Sequence, residues 1–156
     1  MKPVIILIKG PSAGGKSTVC NALEKNLKNF IFLDIAKHKE DYALDPDRKK
    51  KAYAKFFPKL KKAMGEGKNI LIQEFFLKDL EKKVDLSNYK VISFFLKSSL
   101  EETKLRNSNR KKVLSDTYLE KSYGYLGVSE YRDLIIDTEK NSVEEIVKII
   151  ISKLLD

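Results

Sequence analysis

The sequence predicts an α/β fold, with a parallel sheet covered by helices on both faces, on three observations. Five short apolar runs, beginning near residues 4, 30, 69, 90 and 134, alternate with segments of helical periodicity. The first run breaks into a glycine-rich turn and then into a helix pattern. At 156 residues the chain is long enough for one such sheet and its two covering layers. Without a linker-like or repeated segment to divide it, residues 1–156 read as a single domain.

The first strand, Val4-Ile5-Ile6-Leu7-Ile8, runs into Gly10-Pro11-Ser12-Ala13-Gly14-Gly15-Lys16-Ser17-Thr18. This is G-x-x-x-x-G-K-[ST], the P-loop pattern. Gly10 leaves the strand, while Gly14 and Gly15 tolerate backbone angles that other residues avoid, so that successive N–H groups turn inward around a phosphate. Lys16 adds positive charge, and the Ser17 hydroxyl is a candidate Mg²⁺ ligand. A helix opening at Lys16 aims the positive end of its dipole at the same point. The segment from Gly10 to Thr18 is therefore the expected site for a nucleoside triphosphate. Val19, Ala22, Leu23 and Leu27 recur behind it at three- and four-residue intervals, as the buried face of that helix. Cys20, the single cysteine, reads as a small packed residue.

The second strand, Phe30 to Leu33, ends at Asp34. Ligands of open α/β sheets lie beyond the carboxyl ends of the strands. Asp34 is thus a candidate base for an acceptor hydroxyl or a carboxylate near magnesium, with helix capping as the competing role. His38, isolated among charged residues, reads as a surface side chain. From Asp47 to Gly67, Tyr53, Phe56, Phe57, Leu60, Ala63 and Met64 mark one helical face. Pro58 in its middle predicts a kink or a split into two pieces, and Gly65 and Gly67 predict the end.

The third strand, Asn69 to Glu74, carries Glu74 at its carboxyl end as a second magnesium candidate. Phe75, Phe76 and Leu77 follow as core or as a pocket wall. After the fourth strand, Lys90 to Leu96, a charged helix from about Leu100 places Arg106 and Arg110 one turn apart on a shared face. Guanidinium groups there suit phosphate oxygens or a base; ion pairs with Glu101 or Glu102 are the plainer alternative. Residues 111 to 130 look least regular and, with the arginines, mark a lid over about 106–130. The fifth strand, Leu134 to Thr138, leads to a closing helix opened by the capping box of Ser142 and Glu145.

Hydrophobic content of 42% with 34% charged residues fits a soluble globular chain. The N-terminus enters a strand without a signal-peptide pattern, and no apolar run reaches bilayer length, so the expected location is the cytoplasm. The net charge of +9 invites nucleic acid, yet the excess is almost all lysine strewn along the chain, with only four arginines.

Taken together, these residues resemble the small P-loop kinases of the nucleoside-monophosphate-kinase type, above all the group of chloramphenicol phosphotransferase, zeta-toxin-like kinases and 5′-hydroxyl polynucleotide kinases. The resemblance covers nearly the full length. It implies the three-layer P-loop NTPase fold with sheet order 2-3-1-4-5, and Mg²⁺ and ATP as cofactor and phosphate donor. It matches Asp34 to the carboxylate that accepts the acceptor's proton, Arg106 to the lid arginine that stacks on adenine, and Arg110 to the one that grips the transferring phosphate. The expected activity is transfer of the γ-phosphate to a hydroxyl of a small molecule. The alternatives are a polynucleotide 5′-hydroxyl kinase, whose partner is a nucleic-acid 5′ end, and a nucleoside monophosphate kinase. Departures from the pattern are Gln73-Glu74 where an aspartate is common, and a single arginine, Arg48, between residues 34 and 90. That scarcity favours a plain hydroxyl acceptor over one already bearing phosphate. A GTPase switch is disfavoured, because neither Asp-x-x-Gly nor Asn-Lys-x-Asp occurs. An ATP-binding module without turnover is the remaining class.

Overall fold

A computed structural model describes residues 1–41 and 44–156, with Glu40 described by its backbone alone. Five strands form one parallel sheet: β1 (Val4–Lys9), β2 (Phe30–Asp34), β3 (Asn69–Gln73), β4 (Lys90–Lys97) and β5 (Leu134–Asp137). Their order is β2-β3-β1-β4-β5, as the resemblance implies. The central strand β1 pairs Ile5–Ile8 with Ile70–Gln73 on one side and Val4–Lys9 with Lys90–Phe95 on the other. Burial of both faces explains why the central strands are unbroken apolar runs rather than alternating ones.

Successive side chains of β1 point to opposite faces, and each face has its own core. Ile5 and Leu7 pack with Ile70, Ile72 and the helix α3 (Arg48–Gly65) through Ala52, Phe56, Leu60 and Ala63. Ile6 and Ile8 pack with Leu71, Phe94, and two helices, α1 (Lys16–Asn26) and the C-terminal one (Val143–Leu154). The latter begins with the expected capping box: Ser142 accepts the Glu145 N–H, and Glu145 accepts that of Ser142.

Three short helices have no clear period in the sequence. They are α2 (Ile35–Asp41), α4 (Leu77–Lys83), and α6 (Asp116–Leu126), which follows α5 (Leu100–Ser108) and precedes the closing α7 (Val143–Leu154). The span 111–130 is thus corrected: it contains an eleven-residue helix, with Ser115 accepting the Tyr118 N–H as its N-cap. Of the two outcomes expected at Pro58, the split does not occur: α3 runs through it as a single helix. Pro58 and Ala54, whose carbonyl loses its donor, are both exposed, so that carbonyl faces water. Buried residues on either side, Phe56 and Leu60, anchor both halves in the same core. The end of α3 is a Schellman motif, with Lys68 and Gly67 N–H groups on the Ala63 and Met64 carbonyls. Among the described residues, no helix is long and apolar enough to cross a membrane.

Candidate active site

The turn between β1 and α1 is held by a Gly14 N–H bond to the Pro11 carbonyl at 3.0 Å. Gly10 is demanded by crowding, since a Cβ there would stand 2.7 Å from the Leu96 carbonyl oxygen. At Gly15 the demand is conformational, with φ at +92°. Gly14 has no positive φ, and Ala13 instead takes the left-handed position at φ +59°. Such angles, uncommon for alanine, concentrate where a loop is shaped for a ligand.

A cleft of about 800 Å³ opens over this turn at the carboxyl ends of the strands. Ser12 to Thr18, Asp34, Glu74, Arg106 and Arg110 all line it, so the sequence candidates converge there. Gly10 lies beneath, buried. Arg110 departs from the shared helix face that its spacing implied: α5 stops at Ser108, and Arg110 sits exposed beyond the cap. Phe75 faces away from the cleft, stacked at 5.4 Å on Phe56.

Lys16 is 6% exposed and donates to the Gly10 carbonyl at 2.7 Å and to Glu74 Oε1 at 3.1 Å. Glu74 follows β3 with φ +65°, its N–H on the Ile8 carbonyl, so the strained turn aims the carboxylate at Lys16. Asp34, in register with Gln73, accepts the Ala36 N–H at 2.9 Å and thereby caps the start of α2. Gln73, which the sequence marks only as a departure from the family pattern and not as a site residue, is 3% exposed and donates from Nε2 to Ser17 Oγ at 3.0 Å. Its Oε1 is buried with no described partner. A polar residue closing an otherwise apolar strand is the signal that marks it.

The oxygens of Ser17, Gln73 and Asp34 make a hard donor set of the kind Mg²⁺ prefers. Among the described residues no three His, Cys, Asp or Glu side chains cluster as a metal cage. Burial pushes the Cys20 thiol up, well out of the reactive range, with Asp34 adding to the effect.

Arg106 joins the two sides of the site. Its Nη1 donates to the Gly14 carbonyl at 3.2 Å and to Thr138 Oγ1 at 3.0 Å, Nη2 to the Thr138 carbonyl at 3.3 Å, and Nε to Glu102 at 3.1 Å. The ion pair weighed as an alternative therefore exists, and it orients the guanidinium. Asn107, 2% exposed, donates to the Leu114 carbonyl at 2.7 Å and accepts its N–H at 2.9 Å, closing the loop after α5. Ser122 of α6 reaches Ser12 at 3.3 Å, and the Tyr123 hydroxyl donates to the Ser98 carbonyl at 2.6 Å. These side-chain hydrogen bonds tie α6 to the P-loop and to the residue after β4.

No family model matches the chain, and no curated protein matches it by sequence. Solved structures do match. The Deinococcus radiodurans tunicamycin resistance protein is 17% identical with a TM-score of 0.70, covering 98% of this chain and 96% of its own. A sugar kinase from Janibacter sp. HTCC2649 is 16% identical with a TM-score of 0.74, at 97% and 94% coverage. A chain of the Pnkp1/Rnl/Hen1 RNA repair complex is 15% identical with a TM-score of 0.67, covering 80% of this chain and 44% of that larger one. At such identities the likeness speaks for architecture: the chain has the fold of the P-loop kinases.

Proposed function

We propose that the protein is a kinase that transfers the γ-phosphate of Mg-ATP to a hydroxyl group of a small molecule. The observation that carries this reading is the single cleft in which Asp34 faces the turn of Ser12 to Thr18. Kinase neighbours of matching fold support it.

In this reading Gly10 shapes the loop, and the N–H groups of Ser12, Ala13, Gly14, Gly15, Lys16, Ser17 and Thr18 hold the β- and γ-phosphates with the positive end of α1. Lys16 leaves Glu74 for the phosphate oxygens as charge develops on them, and Arg110 meets the transferring group from the far side. Arg106, its plane fixed by Thr138 and Glu102, offers a flat face to the base. Asp34 takes the acceptor's proton. Magnesium bound at Ser17 and Asp34 would neutralise charge between the β- and γ-phosphates. Glu74 is the other candidate for that role, its carboxylate released when Lys16 turns to the phosphates.

A second reading, a polynucleotide 5′-hydroxyl kinase, is favoured by the RNA repair neighbour and the +9 charge. Nucleoside monophosphate phosphorylation has no comparable observation behind it. Two substitutions test the assignment of roles. Lys16→Ala should weaken ATP binding measured by calorimetry by about tenfold or more. Asp34→Asn should leave ATP binding within about twofold and lower the transfer rate by about a hundredfold or more. An Asp34→Asn protein that transfers at the wild-type rate would remove the proposed base.

A further inference from the structure

Arginine is scarce in this chain, four among 31 cationic residues, yet Arg48, Arg106 and Arg110 all line the same cleft. On the side of Asp34 the wall is built by Lys37 and Lys39 of α2 and by Arg48, which opens α3. Lys39 differs from the solvated lysines elsewhere. Burial lowers its pKa, Glu74 opposes that shift, and the charges of Lys49, Arg48 and Lys16 add to the lowering. No described residue makes an ion pair with it. A partly desolvated ammonium held among other cations is costly unless an anion joins it.

Charge balance gives the size of that anion. With the Lys16–Glu74 and Arg106–Glu102 pairs set aside, five cations (Lys37, Lys39, Arg48, Arg110 and Lys112) face Asp34, leaving an excess of four among the described residues. A magnesium-bound triphosphate offsets roughly two of these, and a phosphate ester group carries roughly one or two more negative charges. We propose that Lys37, Lys39 and Arg48 form an anion subsite beside Asp34, and that the acceptor is an alcohol already carrying a phosphate group. This rests on the kinase reading of the cleft. The acceptor oxygen bonds the γ-phosphorus as the bond from that phosphorus to the β–γ bridging oxygen breaks. The hydroxyl proton passes to Asp34, and the nucleoside diphosphate leaves. The low arginine content between residues 34 and 90 argues for a plain hydroxyl acceptor, and the lysines of α2 are what the subsite would use in place of arginines.

The test is calorimetric binding to the full chain holding Mg²⁺ and a non-hydrolysable ATP analogue. Glycerol 3-phosphate is compared with glycerol, and a 5′-hydroxyl dinucleotide with its nucleoside, which separates small phosphate esters from nucleic-acid ends. At least one phosphorylated probe should bind about tenfold or more tighter than its partner. Lys39→Gln with Arg48→Gln should erase about ten- to a hundredfold of that affinity, leaving analogue binding unchanged. Lys37→Gln, at an exposed position, supplies a second variant with no burial to disturb, and Lys61→Gln, outside the cleft, is the control. Phosphorylated probes that bind no better than their partners, or variants that bind them as the wild type does, would overturn the subsite. Label transfer from ATP is followed in parallel: transfer to neutral alcohols, unaffected by these variants, overturns the subsite and spares the kinase, whereas intact subsite binding without transfer to any acceptor overturns the kinase alone.

Discussion

At the scale of single residues, the site is assembled from side chains that hold one another. Lys16 reaches across to Glu74, 58 positions away, and Ser17 is met by Gln73, 56 positions away. The P-loop itself is local and legible from its spacing; the strand end marks Gln73 and Glu74 as polar, but which P-loop side chain each one meets depends on the fold. His38 illustrates the same limit. It reads as a surface residue, yet its Nδ1 is buried without a described hydrogen-bond partner, and burial, with the charge of Lys59 next, lowers its pKa below the ordinary 6.5. Above that value the imidazole is neutral in folded and unfolded chains alike. As pH falls below it, the unfolded chain takes the proton first, so stability should decline until the folded pKa is passed. Being the only histidine, it gives a clean NMR titration, and the expected midpoint lies below 6.5. A midpoint at or above that value would contradict the burial seen here.

At the scale of elements, α3 and α4 show how tertiary contacts decide what local signals leave open. Pro58 stays inside α3 because packing on both sides of it outweighs the lost hydrogen bond. Pro58→Ala at this exposed helical position should therefore stabilise the chain, by up to about 3 kcal/mol, read from the urea midpoint. The start of α4 is capped from afar: Glu130 accepts the N–H groups of Leu77 at 2.7 Å and Lys78 at 3.0 Å. Glu130 also pairs with Lys9, which is 3% exposed and bonds Asp133 at 2.6 Å, while Asp133 accepts the Ser93 hydroxyl at 2.6 Å. This knot ties the last residue of β1, immediately before the P-loop, to the segment entering β5. Glu130→Ala leaves a buried ammonium half-paired and two helix donors unmet, so a loss of about 3–5 kcal/mol is expected in the same unfolding measurement. A loss under about 1 kcal/mol would mean that water replaces the carboxylate at little cost.

At the scale of the whole molecule, the sheet and its order were legible because each of the five strands leaves an apolar run, even β5, which is largely exposed, and because a P-loop context narrows the topology. The short helices were not. α4 buries only Leu77 and Leu80, and α6 only Leu119 and Ser122, too few positions to set a period. The cationic wall of the cleft was equally hidden, since Lys37, Lys39 and Arg48 look like any others among 31. The proposal puts a triphosphate at the turn after β1 and an acceptor beside Asp34. The most direct measurement is incubation with Mg²⁺ and γ-labelled ATP alongside phosphorylated and plain alcohols, nucleoside monophosphates and a 5′-hydroxyl oligonucleotide. The account predicts label on a hydroxyl of one of these acceptors, abolished by Lys16→Ala. ATP bound in the cleft with its label never reaching any hydroxyl would contradict it.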